Sequence, residues 1–474
     1  MKRRTNLARA VRAALVLPFT SISLLLSAQG LNDLWVGGYG EEWGQPWGGI
    51  DLDFTSWTLS VTTMDRDVDY FRTSANMTDV LGSLLLATNG VVVANALSDT
   101  MPNGDGLNPS PYVDLYPQGI HIPQGALVLP KPGTPGIFYL FHSTVDNLAT
   151  FDTEHLYLTT VDMSLDGGMG AVVSKNVALI TDQLNIGKIT AVRHANGRDW
   201  WVFCHQKGTT VYYRLLVTPE GVSGPEQQAI GVPRLDGSGQ VCFSPDGSKF
   251  AHYWGQSGED LDIFDFDRCT GLFSNPVNVV IEDEDNMGGV AFSPNGRYLY
   301  VSSILDVYQF DTEAADIAGS MVHIAEWDGF HSPEPPFATL FDIAQLAPDG
   351  KIYVGTGNST LHLHVIHDPD EPGLACNMEQ HGIALPRFFQ NSLPNHPNYH
   401  LGPVVGSVCD SLDLGTGVAT QQVLLGVQAY PNPSNGQFNL SYPVQPEAGL
   451  LEVLDIQGRV VYQSRLAAWS QVHR

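Results

Sequence analysis

The sequence predicts an all-β chain: a seven-bladed β-propeller, with six blades as the alternative, followed by a small, separate β unit. Three observations predict it. A turn of the form Ser or Ala, Pro, Asp or Asn, Gly recurs roughly every 50 residues, as SPDG, SPNG and APDG. Four short apolar or alternating segments accompany each copy. No long segment carries a 3.6-residue apolar period with caps.

The turn chemistry explains the repeat. Pro245, Pro294 and Pro348 preset φ at the second turn position. Asp246, Asn295 and Asp349 suit the third, where a side-chain oxygen accepts from nearby amides. Gly247, Gly296 and Gly350 take the left-handed fourth place, a known hairpin connection. These residues read as structural turns between the two innermost strands of a blade.

The elements follow in order. Basic MKRRTNLARAVR and apolar AALVLPFTSISLLLSA form a secretory leader, residues 1–28, ending at Ser27-Ala28. The propeller is expected over residues 29–410. LWVGG, GIDLDF and WTLSV precede the repeats, and units centred on Gly82, Gly133 and Gly197 precede the SPDG copies. GQVCF, KFAHYW, LDIFDFD and PVNVVI make one complete four-stranded meander. LPRFFQNSLPNHPNYHLGP after the last repeat is predicted to supply the inner strand of a closing blade, whose outer strands come from the N-terminal segments. Residues 411–426 read as a linker, and residues 427–474 as a separate β unit.

Composition narrows the function classes. The 474 residues carry 10% aromatics, 48 glycines and a formal charge of −27. That charge repels phosphate backbones, so no nucleic-acid partner is expected. Beyond the leader no apolar stretch is long enough for a transmembrane segment in the mature chain. The five cysteines match no CxxC metal spacing, and the odd count leaves at least one unpaired within the chain. Cys376 with Cys409 is the expected disulfide.

Candidate sites are few. His362 and His364 share a strand face if LHLHVI is extended, and with His367 they form a candidate metal set, although zinc sites usually add Cys or Glu at defined spacing. NGDGLN at 103–108 and IEDEDN at 281–286 read first as acidic turns and offer calcium-type oxygens, so calcium is the one cofactor considered. Trp43 and Trp47 sit in a Gly-rich loop where a ring is hard to bury, and are the candidate ligand-binding residues. Trp200, Trp201 and Trp254 read as core. No G-x-S-x-G elbow or phosphate loop occurs.

Two resemblances add to this reading. The tail, AYPNPSNGQFNLSYPV…LEVLDIQGRVVYQSRL, resembles the C-terminal sorting domain of type IX secretion in Bacteroidota, with Pro431, Asn432, Pro433, Gly436 and Gly458 as its marks. The family's domain is a β-sandwich read by the secretion machinery. It usually continues into further strands, so this copy, stopping at WSQVHR, is expected to be C-terminally truncated. The body, with WVGGYGEEWGQPWGGIDLDF, VDMSLDGGMG, ITAVRHANGRDWWV and CNMEQHGIALPRFFQNSLPN, is similar to WD-like propellers common in secreted Bacteroidota proteins. Together they imply a protein secreted or displayed on the outer membrane after passage through the periplasm. The expected role is a binding or scaffold module for an extracellular protein or glycan. The alternative is a glycan-acting hydrolase or lyase using channel carboxylates, for which no residue pair stands out.

Overall fold

A computed structural model describes residues 30–235, 239–255, 260–282 and 287–410, together with five short strands between residues 428 and 473. The segments read above as leader and linker lie outside the described residues.

Seven antiparallel sheets follow one another along the chain. Blade 1 has three strands, Leu34–Gly38, Gly49–Asp53 and Ser60–Met64. Blade 2 also has three, Ala75–Thr78, Leu84–Thr88 and Val93–Asn95. Blades 3 to 7 each have four, beginning at Ala126–Pro130, Thr190–Arg193, Gly239–Phe243, Gly288–Phe292 and Ala344–Leu346. The first strands of successive blades pack on one another, which arranges the sheets around a central axis. The protein is a seven-bladed propeller.

The repeat glycines found in the sequence all do the same conformational job. Gly82, Gly133, Gly197, Gly247, Gly296 and Gly350 have φ between 67° and 82°, a region a Cβ disfavours. At Gly197 a side chain would also collide with the backbone nitrogen of Pro403, 2.6 Å from the added Cβ.

Apolar residues alternate on each strand and meet across the seams between blades. Trp35, Leu52 and Phe54 of blade 1 pack with Tyr353, Leu363 and Phe389 of blade 7. Phe203 and Tyr212 of blade 4 meet Phe250 and Phe264 of blade 5. Ala251 and Leu261 of blade 5 meet Val290 and Leu299 of blade 6. Trp200, Trp201 and Trp254 are buried in such seams, as core residues should be.

Ring closure differs from the expectation in its hydrogen bonding. The last strand of blade 7, Met378–Gln390, packs on all three strands of blade 1. Arg387 there bonds to the Met64 carbonyl at 2.9 Å and to Asp65 at 2.8 Å. The chain then turns inward and runs along the axis from Asn391 to Asn398. Among the described residues it forms no ladder with blade 1, whose first strand pairs with the second and makes one isolated bridge, Gly38 to Tyr70. Instead its side chains satisfy backbone groups of several blades. Asn395 donates to the carbonyls of Ala126 and Ile189 at 3.0 and 2.8 Å, accepts from Gln124 at 3.1 Å, and its backbone N–H reaches Ser74. A segment rich in Pro and Asn lacks the donors for a regular ladder, so amides replace it.

The disulfide joins Cys269 to Cys409, not Cys376 to Cys409. Cys376 is fully buried in the seam between blades 6 and 7, whereas Cys409 follows the axial segment to the turn of blade 5 that carries Cys269. Cys204, Cys242 and Cys376 are free.

Candidate functional site at the channel mouth

The axis is not a through-channel of apolar side chains. Three buried amides seal it. Gln124 accepts from the Val241 N–H and donates to its carbonyl, both at 2.9 Å. Gln240 donates to Ala344 O and accepts from the N–H groups of Val290 and Ala344. With Asn395 they form the floor of a cavity of about 980 Å³.

The recurring turns form its rim. Pro245, Pro294, Asn295, Pro348, Asp349 and Gly350 all line it. Each turn is internally satisfied: Asp246 accepts from the Ser248 N–H, Asn295 from the Arg297 N–H, and Asp349 from the Lys351 N–H. The motif residues therefore act as turn residues, and their position around one mouth is a consequence of the blade repeat.

Blade 1 completes the wall. Asn32, Asp33 and Trp57 to Leu59 line the same mouth, so its first strand begins where those of blades 5 to 7 end. Blade 1 lacks a strand of the usual direction at the axis, and the cavity extends into the seam toward Ile383 and Ala384. Trp57 has φ of 59°, a conformation rarely adopted by bulky residues, and is half-buried at the mouth. Its N–H bonds to Phe54 O, and the Phe54 N–H bonds to Asp33 O. This pair of bonds ties the ring to the Asp33 strand.

Three carboxylates reach the mouth, with different engagements. Asp349 also accepts from the Tyr353 hydroxyl at 2.9 Å, and Asp370 accepts from the Asn295 N–H at 2.9 Å. Burial raises both carboxyls, and those bonds counter it. Asp33 makes no side-chain hydrogen bond or ion pair among the described residues. Burial, then the charge of Asp53, pushes its carboxyl up to about 6. The neighbouring imidazoles of His396 and His400 are pushed down to about 4 by burial and stay neutral.

The other predicted site residues lie elsewhere. Trp43 and Trp47 occupy the loop at the far end of blade 1's first strand, away from this mouth. Trp47 packs on Phe388 and Tyr39 at ring separations of 4.3 and 4.8 Å. Trp43 is 50% exposed, and its Nε1 donates to Asp69. The structure does not bring the three histidines together. His364 is fully buried and uses both nitrogens, Nδ1 toward the His381 N–H and Nε2 toward Leu340 O. A bulge in the paired strand inserts His381 there. His362 bonds to Ser332, and His367 pairs with Glu379. No group of three metal-type ligands occurs among the described residues. In the calcium-type loop at 103–108, Asp105 pairs with Lys175, while the amides of Asn103 and Asn108 hold backbone carbonyls. Part of the loop at 281–286, and the tail residues Pro431, Asn432, Pro433, Gly436 and Gly458, lie outside the described residues.

Residues 428–473 match the secretion system C-terminal sorting domain family. The chain ends in a type IX sorting domain. Within it, Gln428–Tyr430 pairs with Asn439–Ser441, which pairs with Val472–His473, and Gly449–Leu454 pairs with Val460–Leu466. The sorting domain marks the protein for export to the cell surface or beyond. No helix among the described residues is long and apolar enough to cross a membrane.

No curated protein matches the chain. Among solved structures it is similar to a protein from Lactobacillus plantarum, at 14% identity and a TM-score of 0.44, covering 76% of this chain and 98% of that one. A putative 6-phosphogluconolactonase from Bacteroides fragilis matches at 14% identity and 0.44, covering 76% and 96%. The periplasmic gluconolactonase of Pseudomonas aeruginosa matches at 15% identity and 0.41, covering 77% and 98%. Similarity at this level carries no argument about activity.

Proposed function

We propose that this exported propeller is a binding module, and that its channel mouth takes an extracellular glycan. One observation carries the reading. A cavity large enough for several sugar rings presents the strained Trp57 ring and the unpaired Asp33 carboxylate on one wall. A ring face stacks on apolar sugar faces, and a carboxylate accepts from hydroxyls.

The hydrolase alternative needs two carboxyl groups acting across one bond. Asp33 has the raised carboxyl pKa of a general acid, but Asp349 and Asp370 are engaged as turn and cap acceptors. That engagement supports binding over cleavage.

The test is a glycan and peptide array probed with the chain from residue 29 onward, beside Trp57→Ala. The expected result is retention of a glycan class by the parent, weakened at least tenfold by the substitution, with the glycan recovered uncleaved. Binding only to peptides, or binding indifferent to Trp57, would refute the reading. Release of shortened glycan would favour the hydrolase.

A further inference from the structure

A group of buried nitrogen donors lies at the opposite end of the ring, in the seam between blades 4 and 5. His205 ends the strand Trp200–His205, Arg234 ends Gly221–Arg234, and His252 and Trp254 end Lys249–Trp254. Their exposures are 2%, 0%, 0% and 7%. The imidazoles of His205 and His252 lie 5.5 Å apart, and the Arg234 guanidinium carbon is 6.0 Å from the Trp254 ring centre.

These side chains turn unpaired donors into the seam. Asn185 Nδ2 donates to His205 Nδ1 at 3.1 Å, and the Tyr212 hydroxyl and His252 Nδ1 share a hydrogen bond of 2.7 Å. Tyr212 keeps its proton because burial raises its phenol well above the ordinary range. With the Tyr212 hydroxyl as donor in that bond, each neutral imidazole carries its proton on Nε2, and neither Nε2 has a hydrogen-bond partner among the described residues. Arg234 places Nε and Nη2 on Asp262, at 3.2 and 3.0 Å, which leaves Nη1 without one. Trp254 Nε1 is also unpaired.

Four buried donors thus face one unpaired acceptor on these residues, Asn185 Oδ1. Asp262 is already occupied by Arg234 and by Asn278. A water molecule would answer two donors but would need acceptors for its own two protons. An anion needs none. Burial first, then the positive charges of Arg234 and Lys188, depress the basicity of His205 and His252, so both imidazoles stay neutral and can donate. The 5.5 Å between the two imidazole centres suits an ion of one atom.

We propose that this seam holds a monovalent anion of chloride's size, bound by His205, Arg234, His252 and Trp254, which fastens blade 4 to blade 5. The site is independent of the channel mouth and of any glycan bound there.

Two measurements on the full exported chain test it. Crystals soaked in sodium bromide should show an anomalous peak within about 3.5 Å of the His205 and His252 Nε2 atoms. Thermal melts should rise by about 2–4 °C between 5 and 500 mM chloride, relative to sodium gluconate at matched ionic strength. Trp254→Phe, which keeps a ring but removes one donor, should at least halve that rise. His205→Leu provides a second variant if Trp254→Phe does not fold. The absence of a bromide peak in the seam, or identical melts in chloride and gluconate, overturns the proposal. Peaks confined to the outer surface would show an adventitious ion only, and would overturn it equally.

Discussion

Asp33 sits where stability and binding pull in opposite directions. Burial raises its carboxyl to about 6 from an unfolded value near 3.8. Between those values the folded chain binds more protons than the unfolded one, so stability falls as pH rises through the interval. Above pH 6 the ionised group is a standing cost. Asp33→Asn should therefore stabilise the protein at pH 7 by about 1–2 kcal/mol, allowing for partial exposure, with the gain gone by pH 4. Urea unfolding at the two pH values checks this. A gain of equal size at both would mean that ionisation is not its source. The sequence offered no means of choosing Asp33 among so many acids, because its isolation comes from packing beside Phe54 and Thr55 and not from any local motif. Trp57 was equally hard to single out, since nothing in FTSWTL announces a left-handed ring at a mouth.

At the scale of elements, the hairpin turns were the most legible feature and the axial segment the least. Pro, Asp and Gly each answer a local geometric demand, so SPDG could be read without knowing its surroundings. The order and extent of GQVCF, KFAHYW and LDIFDFD followed from alternation for the same reason. The segment from Asn391 to Asn398 has no such local logic. Its shape is set by carbonyls on strands more than 200 residues away, which Asn395 satisfies. Removing that amide leaves the Ala126 and Ile189 carbonyls buried and unpaired. Asn395→Ala should cost roughly 2–5 kcal/mol, read as a lower denaturation midpoint. Asn398→Ala, at the more open end, loses the bond to Pro245 O and the one accepted from the His400 N–H, and should cost about 1 kcal/mol. Equal effects at both positions would argue against the amide floor. The histidine expectation failed at this scale too: alternation put His362 and His364 on one face, and the bulge opposite them committed His364 to the backbone.

For the whole molecule, the period of the turns and the count of segments indicated seven blades. The pairing of Cys269 with Cys409 depended on where the chain goes after leaving blade 7, which no spacing encodes. Export belongs to this scale as well. Deleting residues 427–474 should leave the propeller folded and confined to the periplasm, with the medium and cell surface depleted of it. Fractionation and immunoblotting check the outcome. Undiminished release of the shortened chain would mean that the sorting domain is not what carries it out.

The axial segment also gives the chain an order of assembly. Blades 1 to 7 emerge first, then the residues that bridge them, then Cys409, and only afterward the sorting domain. Every molecule long enough to present the export address has therefore already synthesised the piece that holds its ring together. A chain cut short before Cys409 would lack the fastening and the address at once. The order of the parts thus couples possession of the address to possession of the fastening.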